Sequence, residues 1–149
     1  TAANTVAQFV QTATSTWRCL FYLRTDAKVH DSAGTAYSVG FLEVPQNSRS
    51  AAYTTVLADA GKHIFHPSAD TTARVFTIDS NANVPYPIGT TLSFVNQNSA
   101  GVITISITSD TMRIAGAGTT GSRTLAANGM ATALKVTSTE WIINGNGLT

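Results

Sequence analysis

The chain has 149 residues, a formal net charge of +1 and only 11% charged side chains. That length fits about one domain, and the charge leaves no basic surface of the kind that neutralises a run of phosphates, so nucleic acid is not expected as a partner. Apolar residues reach 43%, but Thr, Ser, Asn and Gly interrupt them before any stretch nears the roughly 20 apolar residues of a membrane-spanning helix, so no membrane insertion is expected.

Residues 1–16 are rich in Thr, Ala and Gln, with Val6, Phe9 and Val10 as the larger apolar groups. They suit a lead-in from an upstream shaft, and they carry no firm secondary-structure signal. Thr1 stands in place of an initiator Met and no charged-then-apolar leader follows, so no signal peptide is read from the sequence, and it reads as a fragment of a longer protein. Trp17 to Arg24 is an apolar, aromatic-rich run of strand length, ended by Thr25-Asp26, and reads as a buried strand. The single cysteine, Cys19, lies within it and reads as a small buried hydrophobe. Lys28-Val29-His30, a turn at Asp31 to Gly34, and Tyr37 to Leu42 read as a hairpin. Pro45 to Ser50 closes this first part and marks the one plausible sub-domain junction, since Pro cannot donate to a sheet ladder.

Beyond Ser50, strand signals recur at Tyr53 to Leu57, Lys62 to Phe65, Arg74 to Ile78, Thr91 to Val95, Val102 to Thr108, Ala131 to Val136 and Glu140 to Ile143. In Val102 to Thr108 the isoleucines alternate with Thr and Ser, which predicts one apolar face and one hydroxyl face. Turn chemistry separates the runs at Asp59-Ala60-Gly61, Asn81-Ala82-Asn83, Ile88-Gly89-Thr90, Ala100-Gly101, Gly116-Ala117-Gly118, Asn128-Gly129 and Asn144-Gly145. The fold class is therefore all-β, a compact sandwich or barrel-like domain of short strands over 17–149, with 17–50 as an N-terminal hairpin region. A β-helical or prism arrangement is the alternative, because short strands with Gly corners also suit it.

Several of these blocks, taken in order, resemble a known family. They are Tyr53 to Leu57, Asp59-Ala60-Gly61-Lys62, Thr77-Ile78, Ser80-Asn81, Pro87-Ile88-Gly89-Thr90, Phe94, Ala100 to Ile105, and Thr139 to Gly145. The set is similar to the C-terminal module of tail-fibre and tail-tip receptor-binding proteins of tailed bacteriophages, and covers 51–149. Asp79 stands where that family often has Pro after the Thr-Ile pair, which changes a turn. The resemblance implies a place in the virion at the distal fibre or tail tip, a homotrimer, and a role in host attachment. The partner it implies is a bacterial surface glycan or outer-membrane component, or else a fibre tip that only trimerises while another protein reads the host. The low charge of the chain also favours burial of neutral faces between subunits.

A polysaccharide-cleaving tail spike is the sharpest enzymatic alternative, and glycosidases need two carboxylates flanking the scissile bond. Asp26 and Asp31 flank one expected strand and Asp70 and Asp79 another, where each is more simply a turn-former. No catalytic residue is assigned. His63 and His66 stand three apart on an expected strand and so point to opposite faces, and no metal or cofactor is expected. Gly116 to Gly121 lacks the Lys of a phosphate loop and precedes no helix, which suits a loop at a subunit contact or fibre tip. Carbohydrate binding uses aromatic faces with amide and charged groups on loops. By residue type the candidates for receptor binding are Tyr37, His63, His66, Asp70, Arg74 and Tyr86, with Tyr86 and Trp141 also suiting a core or trimer seam.

Overall fold

The structure is a computed structural model that describes residues 6–23, 28–30, 36–38 and 44–149, with side chains at 10–16 and 44–149. The chain forms two compact units, Thr1–Glu43 and Val44–Thr149. In the first, β1 (Val6–Ala13) and β2 (Thr16–Leu23) make an antiparallel hairpin in which Val6 faces Leu23 and Ala13 faces Thr16. The stretch expected to have no firm structure thus contains a strand. Its own residues signal little, and the adjoining Thr16–Leu23 run supplies the ladder partner through a two-residue turn with Ser15 at φ 68°. β3 (Lys28–His30) pairs with β4 (Ala36–Ser38) antiparallel, within the stretch expected to form a hairpin. Arg24 to Asp26, the Asp31 to Gly34 turn and Val39 to Leu42 lie outside the described residues, as do the side chains of Cys19 and Tyr37.

The second unit is all-β, and its nine strands form one curled sheet, a half-barrel. Three successive pairs of strands alternate between two parallel ladders. β5 (Gln46–Ser48), β7 (His63–His66) and β9 (Thr91–Asn96) form one ladder. β6 (Tyr53–Thr54), β8 (Arg74–Ile78) and β10 (Ile103–Ile107) form the other. Each strand is short because a corner follows it, and the corners differ in length, which is why no fixed repeat shows in the sequence.

Side chains on the concave faces stack across the ladders. Ile64 sits beside Phe94 and Phe94 beside Ala131, while Tyr53, Phe76 and Ile105 align on the opposite side. Ile64, Phe76, Phe94, Ile103 and Ile105 are all fully buried, and each such side chain contributes about 1.5–3 kcal/mol by leaving water. The period-2 pattern of Val102 to Thr108 is realised here, with Ile103 and Ile105 inside and Thr104 and Ser106 on the outer face.

The long strand β12 (Arg123–Lys135) joins the ladders. Its first segment pairs antiparallel with β10, its second with β9, and the two are separated by a bulge where Asn128 adopts φ 57°. Asn128-Gly129, expected as a turn between strands, is this bulge. β13 (Glu140–Leu148) covers the other edge of β12, and β11 (Thr111–Ile114) adds to β13 in parallel. Asn144-Gly145, also expected as a turn, lies inside β13.

One expected strand is cut short. Tyr53 to Leu57 yields only two strand residues before a 3-10 turn at Leu57–Asp59. The buried Asp59 carboxylate accepts hydrogen bonds from the Val56 N–H (2.9 Å), the Tyr53 hydroxyl (2.7 Å) and the Asn47 amide (2.7 Å). That local acceptor turns the chain before a ladder can continue.

Candidate functional site

The corner between β10 and β11 and the loop after β11 enclose an open recess of about 290 Å³. Thr108, Asp110, Thr111, Thr120 and Ser122 supply its polar lining, over an apolar floor that includes Met112. The loop wall is held rigidly. Gly118 N–H donates to the Ile114 carbonyl and Ile114 N–H to the Thr119 carbonyl, while Arg113 donates to the Gly118 carbonyl (2.9 Å) and to Glu140 (2.8 Å). Arg123 donates to the carbonyl of Thr119 as well. Gly116, Gly118 and Gly121 have φ of 81°, 74° and 115°, the left-handed region that such tight corners need.

Asp110 is the one carboxylate in the lining and is nine-tenths buried, with 9% exposure. Its Oδ2 accepts the Asn81 N–H at 3.0 Å. Among the described residues no cation pairs with it, because the buried Lys135 donates to Asn81 Oδ1 (2.7 Å) instead. Thr108 donates its hydroxyl proton to Asp79 Oδ1 at 3.2 Å, so toward the recess it presents lone pairs. Asp79 itself is held below the usual carboxylate range, chiefly by the Ser80 N–H and further by Asn83 and Thr108.

Three of the residues singled out by type, His66, Asp70 and Arg74, come together at one end of the interior. Arg74 grips Asp70 in a bidentate pair, Nε to Oδ2 at 2.7 Å and Nη2 to Oδ1 at 3.1 Å. His66, fully buried, has Nε2 3.1 Å from Asp70 Oδ2 and Nδ1 3.1 Å from Asn96 Oδ1, with its ring edge-on to Phe76. Asn98 donates its side-chain amide to the Asp70 carbonyl and accepts the Ala100 and Gly101 N–H groups. His66 is buried and offers no face to solvent, whereas Asp70 and the Arg74 guanidinium are partly exposed at the rim of the cluster.

The Arg74 guanidinium, with His66 and the Thr72 N–H, holds the Asp70 carboxyl well below the usual carboxylate range. A depressed native value means that Asp70 stabilises the fold fully above the unfolded carboxylate pKa of about 3.9, and that this contribution is lost as pH falls through that value toward the native one. Thermal melts from about pH 6 to about pH 2 are expected to show the gap between the wild-type chain and Asp70→Asn closing at the acid end. A gap constant with pH would contradict the ion pair.

His63 points to the opposite face of β7 from His66, as the period of two requires. Its Nδ1 donates to the Val44 carbonyl (3.0 Å) and its Nε2 lies 3.1 Å from the Gln46 amide nitrogen. With Val44, Ser93, Val95 and Met130 it lines a mainly apolar shelf on the convex side, where Val44 and Met130 are 55% and 58% exposed. Tyr86 is buried, edge-on to Trp141 at 5.5 Å between ring centroids, and donates to the Val56 carbonyl at 2.6 Å. Burial pushes its hydroxyl up to about 12. Among the described residues no three His, Cys, Asp or Glu side chains gather as a metal site.

None of the recess residues was a candidate by residue type. The one part of the wall that the sequence marks is the Gly116 to Gly121 loop, which suits a subunit contact or fibre tip. The sequence matches no protein-family model, and no curated protein is significantly similar to it.

Proposed function

We propose that this chain is the distal module of a tailed-phage fibre or tail-tip protein, acting as a homotrimer that attaches to the host surface by non-covalent binding of polysaccharide. The recess beside Asp110 carries the reading. It is open, polar and rigidly walled, so a ligand meets preformed groups and little ordering opposes binding. It holds a single carboxylate, where glycoside hydrolysis uses a pair, and this favours adhesion over cleavage. Hydroxyls above an apolar floor match a sugar, which has hydroxyl edges and an apolar face.

The same reading gives the convex shelf of His63, Val95 and Met130 a role as the seam between copies, since covering it also protects the sheet. Several modest sites per trimer then act together through avidity. The block resemblance over 51–149 supports the fibre context.

Two measurements test it. Light scattering on the purified chain is expected to give a mass near three times the 15.6 kDa monomer. Labelled trimer is expected to bind whole cells from a bacterial panel and to lose that binding when surface glycans are oxidised with periodate. Release of new reducing ends from the bound glycan would favour the tail-spike enzyme instead, and a trimer that binds no cell would leave only a structural tip.

A further inference from the structure

We infer that the recess selects a saccharide carrying a free ammonium group, an amino sugar with its nitrogen unacylated, and that Asp110 is the group that reads the charge. The inference rests on the adhesion reading above and narrows its ligand. Three features of the lining point to it. Asp110 is a carboxylate in a nine-tenths buried position whose only hydrogen-bond donor among the described residues is the neutral Asn81 N–H. A carboxylate removed from water without a cation is costly, and a ligand ammonium relieves that cost while a neutral hydroxyl relieves less of it.

Thr108, beside it, has spent its only proton on Asp79, and Ser122 Oγ accepts the Ile107 N–H while donating to Ser106, both at 3.4 Å. Thr111 and Thr120 keep hydroxyls that can donate or accept, so it is the Asp110 carboxylate, and not a general lack of donors, that favours a ligand bringing donors and charge. An ammonium brings three, together with the charge. The nearby cations do not substitute for it. Lys135 donates to Asn81 Oδ1, Arg113 to Glu140 and the Gly118 carbonyl, and Arg123 to the carbonyls of Thr119 and Ser122. A divalent cation is a poorer match, because calcium takes six to eight oxygens, usually with several carboxylates, and Asp110 is the only carboxylate lining the recess.

The test is an NMR titration of the full chain at about pH 6, where an alkylammonium stays protonated. The probes are D-glucosamine, D-glucose, N-acetyl-D-glucosamine and calcium chloride. Glucosamine is expected to shift the backbone amides of Asp110, Thr111, Gly121 and Ser122, with an affinity about tenfold above that of either neutral sugar. Asp110→Asn keeps an acceptor for the Asn81 N–H and is expected to bring the three sugars level. Should that variant fold poorly, added salt makes the same distinction in the wild-type chain, weakening glucosamine binding and leaving glucose unchanged.

Equal binding of the three sugars by the wild-type chain, recess shifts with calcium alone, or glucosamine shifts confined to another part of the chain would each overturn the inference. The two readings fail separately. Whole-cell binding that survives Asp110→Asn without loss removes the recess and leaves adhesion standing, whereas glucosamine binding at the recess by a trimer that attaches to no cell leaves the recess and removes the adhesion.

Discussion

Asn96→Leu is expected to lower the unfolding free energy of Val44–Thr149 by about 4 kcal/mol or more, although the side chains are close in size. Asn96 is fully buried at the end of β9. Its Nδ2 donates to the carbonyls of Gly101 (3.0 Å) and Ala126 (3.1 Å), and its Oδ1 accepts the Asn98 N–H (3.1 Å) and faces His66 Nδ1. The surrounding carbonyls fix which way the amide points. Leucine answers none of these groups, and each buried polar group left without a partner costs about 1–3 kcal/mol. The loss is concentrated because Asn96 ties three parts of the chain together: the corner from β9 to β10, the bulge of β12, and the His66–Asp70–Arg74 cluster.

Urea unfolding checks this, with the midpoint moving and the slope unchanged if the native state keeps its extent. Thr132→Val is the control. Thr132 makes a single part-buried 3.0 Å hydroxyl contact, with Ser93, and the Ser93 hydroxyl can turn to another partner, so its loss is expected to stay near or below about 1 kcal/mol. Similar losses from the two variants would mean that the Asn96 network stabilises little.

Asn96 also shows where reading the sequence succeeds and where it stops. β8 is found at its full extent, Arg74 to Ile78, because its β-branched and aromatic residues run up to a turn-forming Asp79. Nothing local marks the next residues. The polar Asn96 ends an apolar run and reads as a strand boundary, yet it is buried, because partners distant in sequence close around it. The same holds for His66, Asp70 and Arg74, whose residue types suggest a binding surface. Only the loop from Pro67 to Ala73, by turning Asp70 back toward β7, ties the buried His66 to the partly exposed Asp70–Arg74 pair. The recess is illegible for the converse reason. Thr108 reads as the end of a strand, and Asp110 and Ser122 as ordinary loop residues, until β11, itself a strand too mixed in pattern to detect, lies beside β13 and brings the two corners together.

Asn-Gly pairs misled in a more instructive way. Asn-Gly is the strongest short hairpin signal because both residues tolerate positive φ, but at 144–145 the glycine serves a close approach of two strands. Gly145 sits opposite Ala131 in the β12–β13 ladder. A Cβ added there would collide with the Met130 carbonyl oxygen and stand 2.5 Å from Ala131 Cα and 2.6 Å from Ala131 Cβ. These are main-chain atoms and the first atom of a side chain, which no rotamer change can move.

Gly145→Ala therefore forces β12 and β13 apart, and the expected loss is about 3 kcal/mol or more, at the upper end of overpacking costs. A fall in melting temperature of roughly 10 °C or more should accompany it. Gly116→Ala separates this clash from backbone strain. Gly116 has φ 81° and open space where its Cβ would go, so only the left-handed conformation opposes alanine, at about 1–2 kcal/mol. The two variants should also differ in function. β13 carries Glu140, which holds Arg113 against the recess wall, and Trp141, which sits beside Met112 of the recess floor. Displacing β13 is thus expected to weaken sugar binding in whatever fraction of Gly145→Ala remains folded. Full recess binding by a Gly145→Ala chain as stable as the wild type would show that the two strands have room the structure denies them.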